Sequence, residues 1–278
     1  MRTFQNPAEI FDWSRAQRAE NRRVGFVPTM GYLHAGHLSL VAEAKQHAEA
    51  VVVSIFVNPT QFGPNEDFAK YPRDEQRDLE LCREAGVAAV FLPSPADMYA
   101  PDASVFVDEA ALQGGLCGAR RPGHFRGVCT VVAKLFNIVQ PDVAVFGQKD
   151  FQQAAIVRRM ARDLNFPVAV VVAPILREPD GLAMSSRNVY LSARERQQAL
   201  GLSRALEAAE AAVNAGVTSA DALRAQMREV MEKHGLRVDY AEVVHADTLA
   251  PVGEVANGNV ALVAAYCGKT RLIDNKVM

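Results

Sequence analysis

The sequence predicts an α/β protein in which a doubly wound parallel sheet is followed by a smaller C-terminal α+β domain. In the first part of the chain, apolar runs of strand length alternate with helical patterns. The run at residues 50–57 is apolar on both faces, as in the central strand of a parallel sheet. From about residue 176 helical segments come first and strand-like segments follow, which is the order of an α+β domain. We therefore expect one domain at residues 1–175 and a second at residues 176–278.

The elements of the first domain are predicted from their hydrophobic patterns and boundary residues. Helices are predicted at residues 7–20, 36–47, 74–84, 128–139 and from 151 onward. Strands are predicted at residues 24–28, 50–57, 87–93, 142–146 and 167–172. Because strands that alternate with helices form right-handed βαβ units, we expect these strands to be parallel. Residues 94–126 are rich in Pro and Gly and are predicted to form loops.

The second domain is predicted to contain Ala-rich helices and antiparallel strands. The helices are expected at residues 193–215 and 219–234, and the strands at residues 238–244, 260–267 and 270–275. Ser192 is followed three residues later by Glu195, which is the pattern of a capping box at a helix start. The dipeptide Asn257-Gly258 favours a turn before the second of these strands.

Composition and charge argue against several classes of function. Of the 278 residues 49% are hydrophobic and 22% are charged, and the formal net charge is −2 without a basic block. Broad electrostatic binding to nucleic acid or to a membrane surface is therefore not expected. The N-terminal residues lack the apolar core of a signal peptide, and no segment approaches the roughly 20 apolar residues of a membrane helix. The four cysteines are far apart, as in a protein that keeps its thiols reduced. We expect a cytoplasmic protein.

Two histidines mark the point where the first predicted strand gives way to a helix. The strand at residues 24–28 is followed by a turn with Gly31 and by the sequence His-Ala-Gly-His at residues 34–37. A helix N-terminus at the carboxyl end of a parallel strand offers N–H groups and a positive dipole end to a phosphate. The spacing places both imidazoles on one face of the helix. Each histidine alone could instead be a helix cap or a surface residue, and a metal site would need a third ligand.

Polar side chains also follow two later predicted strands. Asn58 and Gln61 carry amide groups that can both donate and accept hydrogen bonds. Asn58 before a proline is also ordinary turn chemistry, whereas Gln61 is harder to explain as a turn residue. Lys149 and Asp150 could form a plain charge pair in the first turn of a helix. Their expected position at the same sheet edge favours a lysine that faces a phosphate.

Two further segments are candidates for binding. Arg126 lies between Gly123 and Gly127 in the loop-rich zone, and its planar guanidinium would suit a phosphate or a carboxylate. A solvated surface arginine is the alternative. Farther along, the turn at residues 179–181 precedes the short polar segment Met-Ser-Ser-Arg-Asn at residues 184–188.

The chain resembles a known family along its whole length. Its His-x-Gly-His turn resembles the signature of the class I aminoacyl-tRNA synthetase-like nucleotidylyltransferase superfamily, in which the two histidines contact ATP phosphates. Six stretches together resemble the pantothenate synthetase (pantoate–β-alanine ligase) family, namely residues 28–37, 58–63, 71–73, 123–127, 146–153 and 177–188. The resemblance implies a Rossmann-like first domain of the HIGH type. It also implies ATP-dependent condensation of (R)-pantoate with β-alanine through a pantoyl adenylate, with release of AMP and pyrophosphate.

The resemblance also implies roles for particular residues. The residues implied in catalysis are His34, His37, Lys149 and Arg187. The residues implied in ATP binding are Met30, Gly31, Tyr32, Leu33, His34, Ala35, Gly36, His37, Gly147, Gln148, Lys149, Asp150, Leu176, Met184, Ser185, Ser186 and Arg187. The residues implied in binding pantoate and β-alanine are Gln61, Gln153, Asn58 and Arg126. The family further implies Mg²⁺ with the ATP, without identifying its protein ligands, and a homodimer.

Other functions stay open at this point. A different small-molecule nucleotidylyltransferase would leave the nucleotide on its acceptor, and a non-catalytic regulatory module would bind ATP without forming AMP. A dinucleotide-dependent oxidoreductase is disfavoured because the first strand–helix turn lacks Gly-x-Gly-x-x-Gly. The superfamily's Lys-Met-Ser-Lys-Ser loop has Ala183 and Arg187 in place of its two lysines here. The positive charge expected at the phosphates therefore shifts to Arg187 and Lys149.

Overall fold

Parallel strands form the sheet of the N-terminal part of the chain. The structure is a computed structural model and describes residues 1–64 and 66–278. The strands of this sheet are β1 (Arg2–Phe4), β2 (Val24–Thr29), β3 (Ala50–Ile55), β4 (Ala89–Phe91), β5 (Val143–Gly147) and β6 (Ala169–Ala173). Their order is β1-β4-β3-β2-β5-β6, and every neighbouring pair is parallel. The chain leaves β2 toward one side of the sheet and later enters β5 on the other side. Open α/β sheets bind ligands at such a switch point, beyond the carboxyl ends of the strands.

Helices follow these strands and begin and end where the local sequence requires. They are α1 (Pro7–Ala19), α2 (Ala35–Ala44), α3 (Glu75–Glu84), α4 (Pro95–Met98), α5 (Leu116–Arg120), α6 (His124–Val139) and α7 (Phe151–Asp163). Asn6 caps α1 by accepting from Ala8 N at 2.8 Å. Val41 and Ala44 of α2 are buried with Val27 of β2 in the core of the sheet. The edge strand β1 was not predicted, because three residues are too few to show a hydrophobic pattern.

The C-terminal part of the chain has an antiparallel sheet, as predicted. Its strands are β7 (Arg237–His245), β8 (Asn259–Cys267) and β9 (Thr270–Val277), with β8 in the middle. Its helices are α8 (Ala193–Ala199), α9 (Gly201–Asn214) and α10 (Ala220–Lys233). Leu206, Leu223, Met227 and Val263 belong to its core and are almost fully buried. Burying one such side chain contributes about 1.5–3 kcal/mol.

The predicted helix at residues 193–215 is two helices that meet at Leu200. A Cβ built on Gly201 would lie 2.7 Å from His234 Cβ and 3.1 Å from Leu236 Cδ1. The backbone at the start of α9 therefore packs directly against the residues that follow α10. Only glycine leaves room for this approach.

The contacts between residues divide the chain into two compact units. The first unit is Met1–Gly147 with Ile156–Pro174, and the second is Gln148–Ala155 with Ile175–Met278. The short segment that follows β5 thus groups with the C-terminal part of the chain, a feature absent from the predicted division after residue 175.

Candidate active site

The turn after β2 has a backbone conformation that depends on Gly31. Gly31 and Tyr32 have left-handed φ values of 82° and 48°. A Cβ on Gly31 would lie 2.9 Å from Ile55 Cγ2 and 3.0 Å from Asp78 Oδ2. Glycine is therefore required both for its φ and for the space. Thr29 Oγ1 accepts a hydrogen bond from Gly31 N at 3.1 Å, which fixes the start of the turn.

Asp78 of α3 holds the same turn through its carboxylate. Its oxygens accept hydrogen bonds from Tyr32 N at 2.6 Å and from Leu33 N at 2.7 Å, and the residue is 1% exposed. Burial raises the pKa of Asp78, although the two N–H groups act in the opposite direction. Asp78 was not predicted as a site residue. It is an ordinary acidic residue on a helix until the fold brings it to a turn 46 residues earlier.

His34 and His37 lie side by side at the N-terminus of α2, as their spacing predicted. Their ring centroids are 4.1 Å apart. His34 Nδ1 accepts from Gly36 N at 3.1 Å, and His37 Nδ1 accepts from His34 N at 3.3 Å. Because Nδ1 is an acceptor in both rings, each neutral imidazole carries its proton at Nε2. The pair thus combines two Nε2–H donors with a helix N-terminus, an arrangement suited to phosphate oxygens.

A metal site at these histidines was one of the alternatives considered. Among residues 1–64 and 66–278, no group of three or more His, Cys, Asp or Glu side chains is arranged to hold a metal ion.

Gln61 lies beside the turn that carries the histidines. It ends the short 3₁₀ helix Pro59–Gln61 after β3 and is 9% exposed. Its Nε2 donates to Met30 Sδ at 3.3 Å, and its Oε1 accepts from Asn58 Nδ2 at 3.1 Å. The fold thus brings together Gln61 and Met30, both predicted as site residues, from the ends of neighbouring strands.

The side chain of Asn58 is used within the protein. Nδ2 donates to Gly127 O at 3.2 Å as well as to Gln61, and the residue is 1% exposed. Oδ1 accepts from Tyr99 OH at 2.8 Å and from Thr60 Oγ1 at 3.0 Å. Both polar atoms of Asn58 thus hold Gln61 and its neighbours, and a contact of Asn58 with substrate stays a prediction.

Residues 123–127 do not form the predicted loop. Helix α6 begins at His124, and Gly123 is its N-cap with a φ of 80°. Arg126 is exposed on the first turn of this helix, and its guanidinium carbon lies 4.1 Å from the centre of the Phe106 ring. The loop prediction was wrong because glycines were taken as loop signals. Here one caps the helix and the other, Gly127, admits a close backbone approach.

A partly buried ionic network supports Gln61 from the side of α6. Arg121 donates to Glu66 through Nε at 2.6 Å and through Nη2 at 2.7 Å. Arg121 Nη1 is 2.9 Å from His124 Nε2, and His124 Nδ1 is 2.8 Å from Gln61 O. Burial acts to raise the pKa of Glu66, but the hydrogen bond to Arg121 and its charge outweigh burial and lower the pKa. None of these supporting residues was predicted, because the network joins positions far apart in the sequence.

Residues Gln148–Asp150 form a short 3₁₀ helix directly after β5. Lys149 Nζ lies 3.8 Å from Asp150 Oδ2, and the lysine side chain is 20% exposed. Asn275 of β9 donates through Nδ2 to Gln148 O at 2.9 Å and to Lys149 O at 3.0 Å. Gln148 Nε2 in turn donates to Asn275 Oδ1 at 3.1 Å. The predicted lysine therefore lies on a turn whose backbone is held by a C-terminal strand.

Gly147 and Gln153 flank this turn. The nearest atom to a Cβ built on Gly147 is Leu40 Cδ2, at an ordinary 3.9 Å. Packing within the protein therefore does not require glycine there, and binding of ATP by Gly147 stays a prediction. Gln153 lies on the first turn of α7 and is partly exposed.

The segment that follows β6 forms a small hairpin and a short helix. Leu176 O accepts from Met184 N at 3.0 Å, which closes the hairpin. Ser185 caps the 3₁₀ helix Ser186–Tyr190 by accepting through Oγ from Arg187 N at 3.2 Å. Leu176 and Arg187, which are both predicted to bind ATP, therefore lie on neighbouring parts of one ordered segment.

Ion pairs anchor this hairpin within the second unit. Arg177 donates to both carboxylate oxygens of Asp274, at 2.6 Å and 3.0 Å, and Asp274 is 3% exposed. Arg196 of α8 donates to Glu178 at 2.8 Å and 3.1 Å and to Asp180 at 2.8 Å. Planar two-point pairing of this kind fixes orientation as well as distance.

The described residues, 1–64 and 66–278, include no helix with the length and hydrophobicity needed to cross a membrane.

Comparison with known sequences relates the whole chain to one family. The family profile described as Pantoate-beta-alanine ligase matches residues 2–277. The pantothenate synthetase of Thermotoga petrophila is 51% identical over 279 residues, covering 100% of both chains. The pantothenate synthetase of Heliobacterium modesticaldum is 54% identical over 279 residues, covering 100% of this chain and 99% of the relative.

Comparison with solved structures relates the chain to the same family. Pantothenate synthetase from Thermus thermophilus has a TM-score of 0.93 and 47% identity, covering 100% of this chain and 99% of the other. Pantoate-beta-alanine ligase from Francisella tularensis has a TM-score of 0.84 and 31% identity, covering 100% of this chain and 97% of the other. That protein was solved in complex with beta-gamma ATP and beta-alanine.

The fold and the turn after β2 define the class of protein to which this chain belongs. The chain is a doubly wound α/β protein with a His-x-Gly-His sequence at the helix N-terminus that follows its switch-point strand. Within that class the chain belongs to the pantoate–β-alanine ligase family, and the predicted resemblance is confirmed. The protein is therefore a ligase.

Proposed function

We propose that this ligase joins (R)-pantoate to β-alanine by way of a pantoyl adenylate, using ATP and releasing AMP and pyrophosphate. Family membership supports the overall reaction. The observation that carries the activation step is the pair His34 and His37, whose Nε2–H donors lie at the N-terminus of α2.

A free carboxylate has a poor leaving group for attack by an amine. The proposed chemistry replaces that leaving group with AMP and then forms the amide, in two steps. A carboxylate oxygen of pantoate forms a bond to the α-phosphorus of ATP, and the bond from that phosphorus to pyrophosphate breaks. The amine nitrogen of β-alanine then forms a bond to the acyl carbon, the bond to AMP breaks, and the nitrogen loses a proton. Neither step needs an oxidant or a reductant. Catalysis is expected to rest on positioning and on stabilisation of developing negative charge.

We assign the phosphate contacts of the first unit to the turn at residues 30–37. Its histidine donors would stabilise the charge that develops on pyrophosphate as it leaves. We assign Gln61 to pantoate and to β-alanine, because its amide can both donate to a carboxylate and accept from a hydroxyl or an ammonium group. Asn58 is proposed to support Gln61 beside the bound pantoate. Arg126 is proposed as a further contact to an anionic group, since its planar guanidinium suits a carboxylate or a phosphate.

We assign further contacts to the second unit. Lys149 and Arg187 are proposed as cationic partners of the phosphates, and Gln153 as a second amide that binds pantoate. The backbone of Leu176 is proposed to meet the adenine. The remaining predicted ATP contacts are Gly147 of the first unit, and Gln148, Asp150, Met184, Ser185 and Ser186 of the second.

ATP is proposed to act as its Mg²⁺ complex. Mg²⁺ prefers oxygen ligands and keeps much of its water, so phosphate oxygens are expected to supply most of its other ligands. We also propose a cytoplasmic homodimer, since family resemblance supports the dimer and ATP is a cytoplasmic substrate. Sedimentation velocity would test the dimer, and a single species with the mass of one chain would contradict it.

An assay of AMP release tests the reaction. ATP, Mg²⁺, pantoate and β-alanine are supplied together and then omitted one at a time. We expect exchange of pyrophosphate into ATP to require pantoate, and net pantothenate and AMP formation to require β-alanine as well. AMP formation at the same rate without pantoate would overturn the proposed function. Transfer of a nucleotide that stays on its acceptor would favour a different nucleotidylyltransferase instead.

A histidine variant tests the activation step. His37→Ala removes the imidazole together with its Nε2–H donor, and we expect the rate of pyrophosphate exchange to fall on the order of 10²–10³-fold. His47→Ala is the matched control, because His47 lies just after the same helix and pairs with Glu43 Oε1 at 3.0 Å. Equal rates for the two variants would contradict the role assigned to His37.

A further inference from the structure

Asn275 makes an unusual set of contacts for a residue near the end of the chain. It is 2% exposed on β9, where it pairs with Leu262 of β8. Its single amide group makes three hydrogen bonds to the turn at residues 148–149, across 126 to 127 residues of sequence. We propose that Asn275 is a positioning residue that sets the backbone of this turn and thereby the reach of Lys149 toward a phosphate. This inference rests on the proposed function.

The chemistry of the contacts requires an amide at this position. Nδ2 donates to two carbonyl oxygens, Gln148 O at 2.9 Å and Lys149 O at 3.0 Å, and Oδ1 accepts from Gln148 Nε2 at 3.1 Å. A carboxylate could not donate, and a hydroxyl has a single proton to share. Asn275 therefore binds both the carbonyls and the side chain of the turn.

The side that holds the turn is itself rigid. Asn275 N donates to Asp274 Oδ1 at 2.8 Å, and Asp274 is in turn paired by two hydrogen bonds with Arg177. A functional group is held accurately when its support is locked by neighbouring hydrogen bonds. Adjacent residues of β9 thus anchor two segments that carry proposed nucleotide contacts, the turn at residues 148–149 and the hairpin that starts at Leu176.

The grouping of the chain agrees with this role. Residues 148–155 follow directly on β5 of the first unit, yet their contacts place them in the unit that contains β9. The three bonds of Asn275 join this segment to β9 within that unit. Lys149 therefore lies on a turn that the C-terminal strand holds.

The test uses Asn275→Asp, which keeps the size of the side chain. It places an oxygen where Nδ2 now lies about 3 Å from two carbonyl oxygens, so the turn must move away. We expect the rate of pyrophosphate exchange at saturating substrates to fall about 10- to 100-fold, because small displacements of a positioned group are costly. Asn275→Ala, which removes the donor without adding charge, should give a fall in the same direction.

A double-mutant cycle separates positioning from a structural role. If Asn275 acts through Lys149, adding Asn275→Asp to Lys149→Met should change the residual rate by less than about threefold. Leu272→Ala is the stability control, since Leu272 is a core residue of the same strand, 5% exposed. It should lower the melting temperature and leave the rate at full folding nearly unchanged. An equal fall of the rate with and without Lys149 would overturn the proposal, as would a wild-type rate in Asn275→Asp.

Hydrogen exchange keeps the two proposals distinct. We expect the amides of residues 148–152 to exchange faster in Asn275→Asp than in Leu272→Ala, without any substrate present. Unchanged exchange there would overturn the positioning role even if the wild-type protein forms pantothenate. If the wild-type protein forms no AMP, the proposed function fails, and faster exchange would still show that Asn275 holds the turn.

Discussion

At the scale of single residues, Asp78 shows how a side chain outside the predicted site shapes it. Its carboxylate accepts from Tyr32 N and Leu33 N in a turn with left-handed φ values. Two backbone N–H groups need two acceptors there, and a carboxylate supplies both. The turn leads directly into His34, which is the N-cap of α2 and forms a capping box with His37.

We expect Asp78→Asn to weaken the binding of ATP. The amide would turn an NH₂ group toward one of the two N–H groups, so one charged hydrogen bond is lost and a buried donor is left without an acceptor. Such a loss is worth about 1.5–3 kcal/mol, which corresponds to a KM or Kd for ATP raised about 10- to 100-fold. Calorimetric titration of ATP measures the change directly.

The matched control for Asp78 lies one turn farther along α3. Cys82 is fully buried on the same helix, and Cys82→Ala shortens a core side chain while it keeps the Asp78 carboxylate that accepts from Tyr32 N and Leu33 N. It should lower stability and leave ATP affinity unchanged. Identical affinity of wild type and Asp78→Asn would show that the turn does not depend on the carboxylate.

At the scale of elements, helix α6 packs closely against the 3₁₀ helix Pro59–Gln61 at Gly127. A Cβ on Gly127 would lie 2.4 Å from Thr60 O and 2.7 Å from Gln61 Cα. Both neighbours are backbone atoms, so one of the two helices would have to shift. The position of Gln61 therefore depends on the absence of a side chain on α6.

Gly127→Ala should accordingly move Gln61. We expect a loss of stability of about 1–3 kcal/mol, as for other overpacked sites, together with a raised KM for pantoate. Gly114→Ala is the control, because in the described part of the chain no atom lies within 4 Å of a Cβ built there. Steady-state kinetics with varied pantoate and thermal melts of both variants measure the two effects. A wild-type KM in a folded Gly127→Ala protein would contradict this account.

The elements also show what a sequence can predict. The pairing of His34 with His37 could be predicted because the two residues are three apart at a strand-to-helix boundary. The place of Gln61 beside Met30 could be predicted because the carboxyl ends of parallel strands share one sheet edge. The helical start of α6 was missed because Gly123 and Gly127 have the composition of a loop, while their purposes, a cap and a close approach, depend on tertiary packing.

The supporting residues were missed for a different physical reason. Asp78 and Asn275 make their contacts across 46 and 127 residues, and nothing in their own neighbourhood distinguishes them from ordinary helix or strand residues. The ion pair of Arg121 with Glu66 likewise spans 55 residues. Local patterns predict candidate binding groups at strand ends, whereas the groups that hold them become visible only when the strands are assembled.

At the scale of the whole molecule, the pH dependence of stability follows from the same supporting groups. The pKa of Glu66 is lowered in the folded protein from its ordinary value of 4.5, because Arg121 outweighs the effect of burial. A carboxyl group with a lowered folded pKa stabilises the native state above its unfolded pKa, and this contribution is lost as the pH falls through the folded value. Glu66 should therefore contribute fully at neutral pH and progressively less below about 4.5.

We expect Glu66→Gln to be less stable than wild type at neutral pH and to approach wild type in acid. Urea unfolding at several pH values measures the difference in the free energy of unfolding. Asp78→Asn provides a check of opposite sign, because burial raises the pKa of Asp78 above its ordinary value of 3.8. A raised carboxyl pKa means that the folded protein binds the proton more tightly, so wild type gains stability relative to Asp78→Asn as the pH falls. A stability difference between wild type and Glu66→Gln that did not shrink in acid would show that Arg121 does not lower the pKa of Glu66.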